Sequence, residues 1–106
     1  MNLVSTRNRA LQSSVSDAIV KGIAPDGGLY VPEQFPHLEL ASFAGATDLP
    51  QVAERLLAPL LAGDGLATDL AGLLRDAFNF PAPLVPLENT PSPASVLELF
   101  HGPTSA

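Results

Sequence analysis

The sequence predicts a small α+β domain, and three observations carry that prediction. Two leucine-rich stretches, 49–61 and 70–78, repeat apolar residues at helical intervals. Brief apolar runs bounded by Pro and Gly, such as Leu29-Tyr30-Val31 and Val96 to Phe100, read as short strands on either side of them. Of 106 residues, 46% are hydrophobic and only 15% charged, a globular balance and not a disordered one. That length allows one domain with a modest core.

Charge and composition narrow the function classes. The net charge of −6 argues against nucleic acid and against an anionic membrane, since both need a basic patch. There is no cysteine, hence neither a disulfide framework nor thiolate chemistry. No apolar run approaches the roughly 20 residues that span a bilayer. Met1 to Arg9 is polar and lacks the apolar stretch of a signal peptide, so a cytoplasmic location is the default. Eleven prolines point to short elements joined by stiff turns.

Taken in order, Asn2 to Thr6 reads as a first strand with Leu3 and Val4 as its apolar part. Ser14 has the chemistry of a helix N-cap, with Asp17 at the capping-box spacing. Val15, Ala18 and Ile19 share one face of that short helix, and Gly22 suits its stop. Asp26-Gly27-Gly28 is a turn, and Leu29 to Val31 is a strand ended by Pro32. Residues 33–46 read as loop or a short helical turn, tacked to the core by Phe35, Leu38, Leu40 and Phe43. His37 in this loop reads as a solvated surface residue.

The longest helix begins at Asp48, with Pro50 tolerated in its first turn and Gln51 at the capping spacing. Leu49, Val52, Ala53, Leu56, Leu57, Leu60 and Leu61 form one stripe, and Pro59 predicts a kink or an end near Ala58. Gly63-Asp64-Gly65 breaks the chain. A second helix over 68–78 presents Leu70, Leu73, Leu74, Ala77 and Phe78, and the short loop makes the two helices antiparallel neighbours. Asn79 to Pro83 is a stiff connector, Leu84 to Leu87 a further short strand, and Val96 to Phe100 a final strand, short and buried. His101-Gly102-Pro103-Thr104 then reads as a turn into a helix N-terminus, with Thr104 as its cap. There is no internal repeat.

The residues alone carry little chemistry. The two histidines belong to no metal-ligand spacing, so no metal site is expected. No Gly-x-Ser-x-Gly elbow is present. Asp64, Asp69 and Asp76 read as a solvated face.

Several stretches, in the right order, carry a resemblance. Ser5-Thr6-Arg7, Ala24-Pro25-Asp26-Gly27-Gly28-Leu29-Tyr30-Val31-Pro32, residues 77–83 and Leu97-Glu98-Leu99-Phe100-His101-Gly102-Pro103-Thr104 together resemble the threonine synthases. Asn8 stands where the family usually has Gly, and Ser105 where it more often has a bulky apolar residue. The resemblance implies the N-terminal part of a fold type II (tryptophan synthase β-like) pyridoxal-phosphate enzyme. It implies an N-terminal domain over 1–80, with 81–106 as connector and first strand leading into the catalytic domain. It also implies the conversion of O-phospho-L-homoserine and water to L-threonine and phosphate.

In the family, the last motif runs into a Phe-Lys-Asp triplet whose lysine holds the pyridoxal phosphate, and here that triplet would begin just after Ala106. The chain is therefore expected to contain no catalytic residue, and alone neither to bind the cofactor nor to make threonine. Its one lysine, Lys21, reads as exposed at the end of a short helix, and exposed ammonium groups are poor nucleophiles. The resemblance makes His101, Gly102, Pro103 and Thr104 candidates for lining the substrate and cofactor pocket; alternatively they only shape the turn. Arg7 either meets a phosphate or is a surface arginine. The implied partners are O-phospho-L-homoserine and the rest of the catalytic domain. The other reading is a non-catalytic binding or assembly module that kept this domain's fold.

Overall fold

The computed structural model describes residues 1–103, and the expected role of Thr104 lies outside them. The architecture is α+β. It comprises β1 (Leu3–Ser5), β2 (Gln12–Ser13), α1 (Val15–Lys21), β3 (Tyr30–Pro32), α2 (Leu49–Leu57), α3 (Leu70–Ala77), β4 (Leu84–Pro86) and β5 (Ser95–Leu97). Single 3₁₀ turns occupy Leu40–Phe43 and Gly65–Thr68.

The first sheet has the order β2-β1-β3, with both pairings antiparallel. Val4 lies opposite Val31 and Gln12, and Ser5 opposite Tyr30. The central strand is therefore covered from both edges, and Val4 and Ser5 are fully buried. Strand β2 was not expected from sequence: Gln12 and Ser13 are polar and the strand is two residues long, so no alternation could announce it.

Capping chemistry sets the helix starts. The Ser14 hydroxyl accepts the Asp17 N–H at 3.1 Å, and the Asp48 carboxylate accepts that of Gln51 at 2.9 Å. Gln51 Oε1 reaches back to the Thr47 N–H at 2.9 Å, completing a reciprocal cap. Helix α1 ends at Gly22, whose φ of 74° is the left-handed conformation that a Cβ disfavours. Helix α2 ends at Ala58, just before Pro59.

Helices α2 and α3 pack on each other. Ala53, Leu61, Leu70 and Leu74 are the buried centre, and Val15, Leu57, Leu66 and Phe78 cover it in part. The buried stripe is narrower than the sequence pattern, because Val52, Leu56 and Leu73 remain substantially exposed. The 33–46 loop also departs from expectation. Phe35 and Leu40 face solvent, and only Leu38 and Phe43 are half-buried. Arg55 holds that loop instead, donating Nη1–H bonds to the carbonyls of Ser42 at 2.9 Å and Ala44 at 2.5 Å. His37 is exposed and meets Glu39 at 2.8 Å.

Strands β4 and β5 form a separate antiparallel hairpin, with Leu84 opposite Leu97 and Val85 opposite Val96. Its final strand is shorter than expected and is not buried: Val96, Leu97, Leu99 and Phe100 are all exposed. Two three-residue strands leave an apolar ribbon with no layer to bury it, a marginal arrangement by itself. The radius of gyration is 17.3 Å where a compact chain of this length has about 13 Å.

Candidate functional site

The structure joins the distant motif stretches in two pairs. The first pair brings Ser5-Thr6-Arg7 to the Ala24–Pro32 stretch. Ser5 Oγ–H donates to the two carboxylate oxygens of Asp26 at 2.8 and 2.9 Å. Asp26 Oδ1 also accepts the Gly28 N–H at 2.9 Å. The Arg7 N–H donates to Ser5 Oγ at 3.2 Å, and Arg7 Nη1–H to the Asp26 carbonyl at 3.0 Å. Thr6 and Leu29 exchange two further bonds, N–H to carbonyl at 2.9 Å and N–H to hydroxyl at 3.0 Å. Gly28 is buried against this cluster, and a Cβ there would run into Ser5 Oγ and come within 3.1 Å of the Arg7 nitrogen. The Gly28 N–H and the Ser5 hydroxyl hold the Asp26 carboxyl below its ordinary range. Arg7 itself is exposed and spans the turn.

The second pair brings the Phe78–Pro83 connector to the His101-Gly102-Pro103 turn. Phe78 packs on the helical core and meets Phe80 edge-on, with ring centroids 6.1 Å apart. The Phe80 ring lies on Gly102, where a Cβ would come within 2.6 Å of it. Glycine is thus favoured by close approach rather than by backbone freedom. The Glu98 N–H donates to the Pro83 carbonyl at 2.9 Å and continues the hairpin pairing by one bond. His101 Nε2 lies 2.7 Å from Glu98 Oε2, and the Phe100 ring is tilted over the imidazole with centroids 4.6 Å apart. An open apolar groove of about 730 Å³ runs between Pro50, Val52, Phe80, Pro83, Leu97 and Leu99.

The candidates are therefore divided. His101 and Gly102 belong to one constellation, with Pro103 following in the chain, while among the described residues the hydrogen bonds of Arg7 run to the first cluster. Three partners were not anticipated. Glu98 was signalled only by its spacing of three residues from His101. Nothing in the sequence announced that Phe80 would seat Gly102. Asp64 was assigned to a solvated face, yet it accepts the N–H groups of Leu66 and Ser16, each at 3.0 Å, and a bond from the Ser16 hydroxyl. These donors hold Asp64 down to about 2 and tie the start of α1 to the loop before α3. Among the described residues, no group of three His, Cys, Asp or Glu side chains is placed to hold a metal, and no helix is long and apolar enough to cross a membrane.

Comparison with known proteins gives these contacts a context. The family model described as the threonine synthase N terminus matches residues 2–78. Threonine synthase of Pseudomonas aeruginosa is 37% identical over all of this chain, which spans 24% of that protein. Human threonine synthase-like 1 is 36% identical over 86% of the chain and 13% of its own length. The crystal structure of pyridoxal-phosphate-bound threonine synthase from Brucella melitensis superposes with a TM-score of 0.79 at 35% identity, over 97% of this chain and 23% of that one. The chain spans about a quarter of the length of the threonine synthases it matches. It belongs to the threonine synthase family and corresponds to the N-terminal part of such an enzyme.

Proposed function

We propose that this chain is the N-terminal portion of a cytoplasmic enzyme that converts O-phospho-L-homoserine and water to L-threonine and phosphate. Residues 1–80 would be its N-terminal domain, and 81–106 the connector and first strand that lead into the catalytic domain. The observation that carries the reading is the likeness to a pyridoxal-phosphate-bound threonine synthase along nearly the whole chain. The seating of Gly102 on Phe80 adds support, because it couples the connector to the turn that would approach the active site.

The described residues do not build a pyridoxal-phosphate site by themselves. Lys21, the sole lysine, is exposed in the last turn of α1. Arg7, Arg9 and Arg55 are each engaged with backbone carbonyls and converge on no common point. The cofactor, when bound to the whole enzyme, supplies an electron sink for carbanion chemistry. This chain's part is the wall of the site. His101 is the side chain on that wall able to exchange a hydrogen bond or a proton with a ligand, and Gly102 and Pro103 shape its approach. Arg7 braces the turn at Asp26, and its remaining guanidinium donors are free to meet a phosphate.

Phosphate release from O-phospho-L-homoserine tests the reading. The enzyme carrying this segment together with the sequence that follows it should release phosphate and form threonine in equal amounts. The 106-residue chain alone should do neither and should retain no pyridoxal phosphate after dialysis. Turnover by the chain alone would overturn the assignment of its residues to the wall.

A further inference from the structure

We propose that Glu98 is a positioning residue that fixes His101 as the Nε2–H tautomer, so that Nδ1 is the atom offered to a ligand. The inference deepens the proposed function and rests on it for the identity of the reaction. The ligand group it selects is a proton donor, such as an ammonium, a hydroxyl or a water, and not a carbonyl or phosphate oxygen.

The burial pattern just after the last strand points to this. A charged side chain beside apolar ones is ordinarily the one that faces water. Here the order is reversed. The Glu98 side chain is 25% exposed, whereas Leu99 and Phe100 beside it are 71% and 72% exposed. The carboxylate is folded back onto His101, whose ring nitrogen Nε2 lies 2.7 Å away. A carboxylate has no proton to give, so Nε2 carries the hydrogen of that bond, and in the neutral ring Nδ1 is left as an acceptor. Phe100 covers one face of the imidazole, and Phe80 seats the residue that follows it. The ring is thus held by a hydrogen bond, a tilted aromatic neighbour and a seated turn. The other histidine provides a contrast within the same chain. His37 meets Glu39 at a similar 2.8 Å, but its side chain and that of Glu39 are 86% and 76% exposed, and no aromatic ring is stacked on it. Solvent competes for that pair, and its tautomers are free to average.

Two measurements test the proposal in the enzyme that carries this segment. The first labels histidine with nitrogen-15 and reads each ring by NMR where it is neutral. His101 should show a protonated Nε2 and a bare Nδ1, while His37 shows averaged nitrogens. In Glu98→Gln, whose amide both donates and accepts, the His101 nitrogens should average as well. A His101 protonated at Nδ1, or one unchanged in Glu98→Gln, overturns the proposal. The second measurement is phosphate release from O-phospho-L-homoserine. Glu98→Gln should lower kcat/KM about tenfold, the loss of one charge-assisted hydrogen bond, with an unchanged melting temperature. His101→Asn, which places an amide where Nδ1 stood, should retain more activity than His101→Gln, which places one where Nε2 stood. Wild-type turnover in Glu98→Gln, or the reverse ranking of the two His101 variants, overturns the positioning role. A wild-type enzyme that releases no phosphate overturns the proposed function instead, and the NMR arm, which needs no turnover, still decides the tautomer.

Discussion

The two clasps of this chain do the same topological job with different materials. The cluster of Ser5, Asp26 and Gly28 joins distant stretches through hydrogen bonds around a fully buried serine, inside a three-stranded sheet. The seat of Gly102 on Phe80 joins distant stretches through one aromatic contact, at the root of an exposed two-stranded hairpin. A clasp of the first kind is complete, because each polar partner is satisfied within it. A clasp of the second kind leaves apolar side chains facing outward on both strands. The first region is built to stand by itself. The second is built to be covered, and it carries the side chains on which the proposed chemistry depends.

The largest effect that distinguishes the regions concerns stability. Leu74 is buried between the helices, and Leu74→Ala should cost on the order of 2–5 kcal/mol by urea denaturation. Leu57 in the same stripe is only partly buried, so the full penalty falls at Leu70 and Leu74. Val96→Ala in the hairpin should change stability by about 0.5 kcal/mol or less. Equal costs at Leu74 and Val96 would break the comparison. Hydrogen exchange sharpens it. Amides of α2 and α3 should be protected well beyond those of Leu84–Pro86 and Ser95–Leu97, and the reverse order would refute the division.

The glycines offer an intermediate contrast. At Gly28 a new methyl group would press on Ser5 Oγ and on the Arg7 backbone nitrogen, and moving them breaks the bonds that tie Ser5 to Asp26 and Arg7 to Ser5. Gly28→Ala should therefore cost about 1–3 kcal/mol, read as a lowered melting temperature. At Gly102 the obstacle is the far edge of the half-buried Phe80 ring, which can swing. Gly102→Ala should cost less than about 1 kcal/mol in stability. In the whole enzyme it should instead depress turnover, because the His101 turn loses its seat. A Gly102→Ala variant less stable than Gly28→Ala would reverse the assignment of roles.

The smallest effect is a pH dependence at Asp64, in the loop before α3. The donors from Leu66 and Ser16 hold Asp64 down to about 2, below the ordinary value of about 3.9. A depressed carboxyl stabilises the fold above its unfolded value and loses that contribution as pH falls through its folded value. Thermal melts should thus show stability declining between about pH 4 and pH 2. Asp64→Asn should flatten that decline relative to wild type. Parallel profiles for wild type and Asp64→Asn would remove Asp64 from the account.

Much of the fold was legible because its signals are local. Caps at Ser14 and Asp48, the stop at Gly22 and the end before Pro59 depend on residues within one helical turn, so reading the chain in order finds them. The two leucine stripes marked the helical pair for the same reason. Strand β2 was silent because its pairing with β1 needs no pattern of its own. The exposure of the last strand was misread because an apolar run says that burial is wanted, not that this chain provides it.

The candidate site divides along the same line. The sequence alone determined which residue types stand in the motifs, and that the chain bends at His101 and Gly102 after the last strand. Only the tertiary structure decided what those residues meet. It separated Arg7 from His101, placed Phe80 under Gly102, turned Glu98 inward and brought Asp64 to Ser16 across 48 positions. Such contacts depend on how whole elements pack. A packed contact depends on complementary surfaces, and residues far apart along the chain carry no periodic trace of one another.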